Sequence, residues 1–476
     1  MRTADAVVVG SGPNGLAGAL TLARAGLSVD VYEGAPTPGG GCRTEEITIP
    51  GFIHDVCSAV HPLVSASPFF RSCDLGAGGV ALLIPAVAFA HPLDGGRAVA
   101  VTNSVNDTAA SLGPDAAVYR RLLSPLVRDV DTILATVLVP LRSVPAHPVA
   151  MMRFGLTGLL PAERLARRFS TEEARALVAG AAAHSMLPLS TPLTGSMALL
   201  FITLAHAVGW PVVEGGSARI VGALVSELES LGGRVITDRW VRDLAELPAA
   251  RAVLLDVSPR GLLEVGGDRM SAASRRALER FQYGPGVCKV DWALSGSVPW
   301  EAPACRRAGT IHLGGTMAEV AAAEAEVAAG RHPEHPFCLV AQPGVVDPSR
   351  APTGHQTLWA YCHVPARSTV DMTDRIESQI ERFAPGFRDL ILSRTTTTAA
   401  DTERHNPNYV GGDINGGRPT LRQTIFRPTV RWNPYRTALE GVYLCSASTP
   451  PGGGVHGMCG VGAARAALAD LGIPRS

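Results

Sequence analysis

The chain has no excess of charge of either sign: 42 basic and 42 acidic residues give a formal net charge of zero. With no global positive field and no dense basic stripe, nucleic-acid binding is disfavoured. The nine cysteines (Cys42, Cys57, Cys73, Cys288, Cys305, Cys338, Cys362, Cys445 and Cys459) are odd in number and never form a Cys-x-x-Cys pair. Their scatter suggests neither a disulfide framework nor a metal site, and free thiols in a reducing compartment are expected. Enzymes that pass electrons through two neighbouring thiols are excluded with them. No stretch reaches the roughly 18 apolar residues of a spanning helix. The most apolar segment, 134–160, is broken by Pro140, Pro145 and Pro148, and it is compatible with peripheral membrane contact only. The first strand starts by about Ala6, which leaves no room for a secretory or transit leader and predicts a cytoplasmic protein.

What is present is a globular composition, with 46% apolar residues, 18% charged residues and 51 glycines over 476 positions, enough for two intertwined domains. Ala6-Val7-Val8-Val9 is a short β-branched run suited to a parallel strand buried on both faces. Gly10, Gly12 and Gly15 follow as G-x-G-x-x-G, with Pro13 and Asn14 between the last two. In such a turn the first glycine allows the tight bend, the second lets backbone approach a pyrophosphate, and the third lets helix and strand pack closely. Leu16, Ala19, Leu20 and Ala23 recur at helical spacing, which predicts a helix over 14–25 capped by Gly26. Its free N–H groups would face a phosphate. A second strand then ends at Glu33, whose carboxylate can accept both hydroxyl protons of an adenosine ribose and would repel a 2′-phosphate. The glycine pattern alone is weak, but strand, helix, cap and terminal acid all fall within one βαβ span.

A nicotinamide dehydrogenase has no need of the second cluster, Gly39-Gly40-Gly41-Cys42-Arg43-Thr44, whereas the long FAD cofactor does. Backbone there can lie along the extended molecule, and Arg43 can offer a charge-assisted contact to phosphate. Near the other end a strand at 441–445 leads into Gly452-Gly453-Gly454-Val455-His456-Gly457 and a final helix through Ala463 and Leu468. A glycine turn feeding a helix N-terminus can set N–H groups against the pyrimidine edge of a flavin. These two ends resemble the phytoene desaturase-related flavoproteins, over what looks like the whole chain. That resemblance implies an α/β fold in which a discontinuous Rossmann-like FAD-binding domain (1–75, 206–285 and 425–476) carries an inserted α+β substrate domain (76–205 and 286–424). It further implies that the strand near 235–241 returns to the FAD domain with Val241 beside the adenine, that residues 252–256 form the next core strand, and that the chemistry is hydride abstraction from an apolar substrate.

For FAD the expected contacts are Gly10, Gly12, Pro13, Asn14, Gly15, Glu33, Gly40, Gly41, Arg43, Thr44, Val241, Gly453, Gly454, Val455, His456 and Gly457. Few polar catalytic groups are needed when flavin N5 itself takes the hydride. His456 and Asp413 are the candidates for a supporting acid or base, His456 because imidazole titrates near neutral pH. A structural role for His456 and a solvated turn carboxylate for Asp413 are the plainer alternatives. His405, Asn406 and Tyr409 read equally well as surface, and His54 and His61 as pocket or not. The segments 133–160 and 186–204, with Met151, Met152, Met197 and Phe201, read as the substrate wall or as core. Aromatic residues amount to 5%, which weakens the case for an amine oxidase with an aromatic cage. Gly314-Gly315 and Gly411-Gly412 are read as lacking the strand and helix of a second nucleotide unit, so oxygen or a quinone is the expected acceptor. Oxidation of an amine or alcohol, and a flavin-holding interaction protein, are the rivals.

Overall fold

A computed structural model describes residues 4–141 and 148–474. Pro145 lies outside them. The first sheet is parallel and five-stranded, in the spatial order Val442–Leu444, Ala252–Leu255, Ala6–Val9, Val29–Tyr32 and Arg234–Ile236. Its strands are short apolar runs because both faces are covered, and the period of two sorts their side chains cleanly. Ala6, Val8 and Leu254 join the core under the helices Pro13–Arg24, Ala218–Ser230 and Met458–Asp470. Val7, Val9 and Leu255 join the opposite core with Leu262 and Val265 of the helix Pro259–Gly266. The helix Pro13–Arg24 stops as the sequence predicts, with Gly26 in the left-handed region just beyond it.

The second sheet is mixed and seven-stranded: Ile391–Thr397, Gly286–Leu294, Gln356–Val364, Cys338–Ala341, Ala308–Leu313, Val87–Leu93 and Arg97–Thr102. Phe89, Leu339, Ala341 and Trp359 pack on one face with the helices Glu172–Ala183 and Thr194–Ala207. Val290, Trp292 and Val340 pack on the other with Ile376, Ile380 and Phe383 of the helix Thr373–Phe383. The chain visits the first sheet with its opening strands, leaves for the second, returns, leaves again and comes back for its last strand. The expected α/β class, a Rossmann-like unit with an inserted α+β body, is what forms.

One local reading is corrected. Gly314-Gly315 does follow a fully buried strand, Ala308–Leu313, and does precede a helix, Met317–Ala328, held by a Thr316–Glu319 capping box. The unit differs from a nucleotide-binding crossover because the next strand, Cys338–Ala341, returns antiparallel to the first. Among the described residues no helix is long and apolar enough to cross a membrane.

Candidate active site

The two sheets enclose a cavity of about 750 Å³, within the range of small-molecule and cofactor sites. One end is built on the turn after the first strand. Pro13 stands at the first helical position, where a missing N–H costs nothing, and Gly12 precedes it as the N-cap. A Cβ on Gly15 would fall 2.0 Å from the carbonyl oxygen of Gly10, so the third glycine is fixed by close approach. Gly40, with φ of +55°, lies over this turn, and a Cβ there would come 2.9 Å from Gly12 Cα. The two glycine clusters are thus one cradle. A diphosphate and its sugars need backbone approach of this kind, and the residues present fit a dinucleotide.

Glu33 sits at the end of the second strand. Its Oε2 accepts the Ser11 N–H at 2.9 Å and the Ser11 hydroxyl at 2.6 Å, and its Oε1 accepts the Ala35 N–H at 2.9 Å. A carboxylate has about four acceptor positions, so one remains for a ribose hydroxyl, and Glu33 faces the cavity. Arg43 Nη2 donates to the Thr37 carbonyl at 2.8 Å and stands 3.7 Å from Glu33 Oε1, while its buried Nε has no partner. Gly10, Gly12, Pro13, Asn14, Gly40, Gly41, Val241, Gly454 and Val455 line the same space.

Other expected contacts do not. Gly15 is covered by the turn, and Gly453 and Gly457 lie behind the lining. The Thr44 hydroxyl donates to Asp55 Oδ1 at 2.8 Å and accepts the Ala218 N–H at 3.1 Å, so it braces the cradle from outside. His456 is buried, and both ring nitrogens are engaged. Nδ1 accepts the Met458 N–H at 3.0 Å, and Nε2 donates to the Gly452 carbonyl at 3.0 Å. Burial pushes its pKa down to about 4. It therefore holds the glycine turn to the start of the last helix as a neutral ring, and it does not line the cavity.

Asp413 is neither solvated nor directed at the cavity. Its buried carboxylate accepts the N–H groups of Gly284 (2.7 Å), Asn415 (2.8 Å) and Gly417 (2.8 Å), and it ties its loop to the strand that follows Gly284. Burial raises its pKa against those donors. Its neighbour Asn415 does line the cavity, as do His405, Asn406 and Tyr409. His61 lines it with Nε2 bonded to Ser217 at 2.8 Å; His54 is buried behind, bonded to Thr48 at 2.8 Å.

Sequence reasoning missed Asp256. It follows the buried strand Ala252–Leu255 as Glu33 follows Val29–Tyr32, and that repeated pattern was the available signal. Its Oδ2 accepts the Gly15 N–H at 2.9 Å and lies 3.0 Å from where a Gly12 Cβ would be. Burial, and next the charge of Glu33, push its pKa up to about 7.

The far end of the cavity is aromatic. Thr310, Leu339, Trp359 and Tyr361 come from three neighbouring strands in register, and Phe201, Trp210 and His184 close over them. Trp359 and Tyr361 stack at 5.8 Å with planes 14° apart. Lys289 lies 5.5 Å from the Trp359 ring and is bonded to Asp291 at 2.6 Å. His184 and His312 share a 2.9 Å contact between their Nε2 atoms, and burial holds His184 neutral with a pKa near 3. The charged lining residues Glu33, Arg43, Arg239, Arg242, Asp256, Arg260 and Glu264 all belong to the first sheet's end. Two expectations change here. Among the described residues of the proposed helical wall only Phe201 faces the cavity, and Met152 is exposed on the outer surface. A low aromatic content overall does not prevent aromatics from gathering at one place.

A family model described as an NAD(P)-binding Rossmann-like domain matches residues 8–73. The chain is 25% identical to the rat pyridine nucleotide-disulfide oxidoreductase domain-containing protein 2, over 98% of its own length and 94% of that protein. It is 34% identical to 4,4'-diapolycopen-4-al dehydrogenase of Metabacillus indicus over 26% of each chain. Cyclohexylamine oxidase from Brevibacterium oxydans shares the fold, with a TM-score of 0.61 and 16% identity over 99% of this chain and 100% of that one. The resemblance read from the two ends of the sequence is borne out, in the branch of the rat protein. The chain is an oxidoreductase with a site for a flavin or pyridine dinucleotide.

Proposed function

We propose that the protein is an FAD-dependent dehydrogenase or desaturase that takes hydride from an apolar, isoprenoid-like substrate and passes the electrons to oxygen or a quinone. The observation that carries this reading is a single cavity joining a dinucleotide cradle to an uncharged aromatic chamber. Bound FAD would supply the hydride acceptor at its N5. Gly12 and Gly40 admit the diphosphate to the backbone, Glu33 offers a carboxylate to the ribose, and Arg43 offers positive charge beside it. Trp359, Tyr361, Phe201 and Trp210 exclude water from the reacting end and hold an apolar molecule by contact area. The relative named as a 4,4'-diapolycopen-4-al dehydrogenase supports that substrate class. The exposed Val149, Met152 and Leu156, at three- and four-residue spacing on the helix Pro148–Gly158, support a membrane-facing surface from which such a substrate or a quinone could enter.

Oxidation of an amine or alcohol is the second reading, favoured by the stacked Trp359 and Tyr361 and by the fold shared with cyclohexylamine oxidase. Against the amine, no carboxylate stands among the described residues that line the aromatic end, and the nearby Asp291 is already bonded to Lys289. Anaerobic mixing of the FAD-loaded protein with isoprenoids, alcohols and amines decides between them. Bleaching of the flavin by the isoprenoid panel supports the first reading, and bleaching by amines alone replaces it with the second.

A further inference from the structure

The helix Pro13–Arg24 begins with backbone N–H groups that have no partner within the helix. In the dinucleotide reading, on which the role of Asp256 rests, that end receives a diphosphate. Yet it already holds an anion of the protein's own. Asp256 arrives from a strand 241 residues away and accepts the N–H of Gly15, the third helical residue, at 2.9 Å. It acts as an N-cap supplied from outside the helix. Its side chain borders the positions where Cβ atoms on Gly10 and Gly12 would stand, both 3.0 Å from Asp256 atoms, and it lines the cavity.

The surroundings of Asp256 offer it no counter-charge. Glu33 faces it from the end of the second strand, Tyr409 from the loop before Val410, Cys445 from the end of the last strand and Cys459 from the last helix. None of these is basic, and among the described residues no lysine or arginine is bonded to it. Of the basic groups at this end of the cavity, Arg43 is turned to Thr37 and Glu33, and Arg260, on the helix that follows Asp256, is bonded to Glu403 and the Pro407 carbonyl. A dinucleotide diphosphate carries two negative charges throughout the neutral range. Placing them at a helix end beside an ionised Asp256 sets like charges together in a cleft from which the cofactor drives out water, and a buried carboxylate so placed takes up a proton.

We propose that Asp256 is a proton-coupled occupant of the phosphate cradle: a carboxylate or carboxylic acid in free exchange when the cradle is empty, and a neutral acid once a dinucleotide binds, so that cofactor uptake above neutral pH consumes one proton from solvent. Linkage fixes the sign. With the free-state pKa near 7, the cradle is ready to bind below that pH. Above it affinity weakens, in the limit by about tenfold per pH unit. Asp256→Asn keeps an acceptor oxygen for Gly15 and removes the charge.

The test is a titration of the flavin-stripped full chain with FAD, and separately with NAD, from pH 6 to 9, by quenching of flavin or protein fluorescence. Wild type should weaken about fivefold from pH 7 to 8 and about ninefold from pH 8 to 9, and Asp256→Asn should be flat, binding at pH 8.5 at least tenfold more tightly than wild type. Calorimetry of wild type at pH 8 in two buffers of different ionisation enthalpy should show uptake of close to one proton, a readout that stands even if the variant does not fold. A flat wild-type profile with no proton uptake overturns the proposal, as does a variant that keeps the wild-type slope. Failure of both FAD and NAD to bind at any pH instead overturns the dinucleotide reading and the proposal with it.

Discussion

Gly460, near the start of the last helix, meets Asn14, near the start of the first: a Cβ on Gly460 would fall 1.8 Å from the Asn14 carbonyl oxygen. The two ends of the chain are therefore locked at the phosphate cradle. Replacing Gly460 with alanine forces these helices apart, and overpacking of this kind costs about 1–3 kcal/mol or more. Gly460→Ala is expected to lower the urea midpoint and to purify with little cofactor.

Gly12 offers a contrast, because little protein fills the space its Cβ would take: Asp256 Oδ2 lies at 3.0 Å and Gly40 Cα at 3.8 Å. The space belongs to the cofactor. Gly12→Val should fold, by circular dichroism, yet be colourless. A yellow, folded variant would show that the cradle lies elsewhere.

His456 should matter for stability and not for proton transfer, since both its nitrogens are spent on backbone partners. Removing the ring leaves the buried Met458 N–H without its partner, at a cost of about 1–3 kcal/mol, and leaves the Gly452 carbonyl only the Cys459 thiol at 3.5 Å. His456→Ala should lower the melting temperature, while the limbs of the pH–rate profile for flavin reduction stay where they are in wild type.

Acid should unfold this protein early. Burial depresses the pKa of His54, His184 and His61 to about 3, 3 and 4, and of His91, His206 and His456 to about 4. Their unfolded value is about 6.5, so between pH 4 and 6.5 the unfolded chain binds more protons and stability rises with pH, by about 1.4 kcal/mol per unit for each histidine. Asp256 and Asp291, raised to about 7 and 6, oppose this because they gain stability as pH falls toward their unfolded value. His312, lowered by burial in the same way, adds to the six, and Asp413, raised by burial, adds to the two; the histidines outnumber the carboxyls and leave a net loss. Urea unfolding at pH 7.5, 6 and 5 should show a steep decline, and equal midpoints at all three would refute it.

Trp359 should act on the substrate and leave the cofactor alone. It stacks on Tyr361 at the aromatic end, away from the glycine cradle. Trp359→Ala removes contact area worth on the order of 1–3 kcal/mol to an apolar ligand, so KM for the substrate that bleaches the flavin should rise about tenfold or more. The ratio of FAD to protein should not change.

The cradle was legible because its parts are contiguous: strand, glycines, helix and Glu33 lie within one βαβ unit, and the chemistry of a diphosphate leaves few alternatives to glycine at those positions. Direction of side chains was not legible. Thr44 follows Arg43 directly, yet one faces the cavity and the other Asp55, because adjacent residues of extended chain point opposite ways. Asp413 looked like a solvated turn residue among glycines, but Asn415 and Gly417 of its own loop and the distant Gly284 point their N–H groups inward at it. The aromatic end was hidden by averaging, since Phe201, Trp210, Trp359 and Tyr361 are dispersed in the chain and meet only when the helix Thr194–Ala207 and the segment after it pack on the second sheet.

The sequence by itself determined the nucleotide-binding half, since local spacing of apolar residues and glycines dictates a buried parallel strand, a tight turn and a helix whose free amides await an anion. Only the tertiary structure decided what else reaches that helix end and what stands opposite it. Asp256 is brought there by strand pairing across more than two hundred residues, and Phe201 and Trp210 reach Trp359 by packing of a helix on a sheet; both depend on the burial of whole faces, which no short window of sequence records.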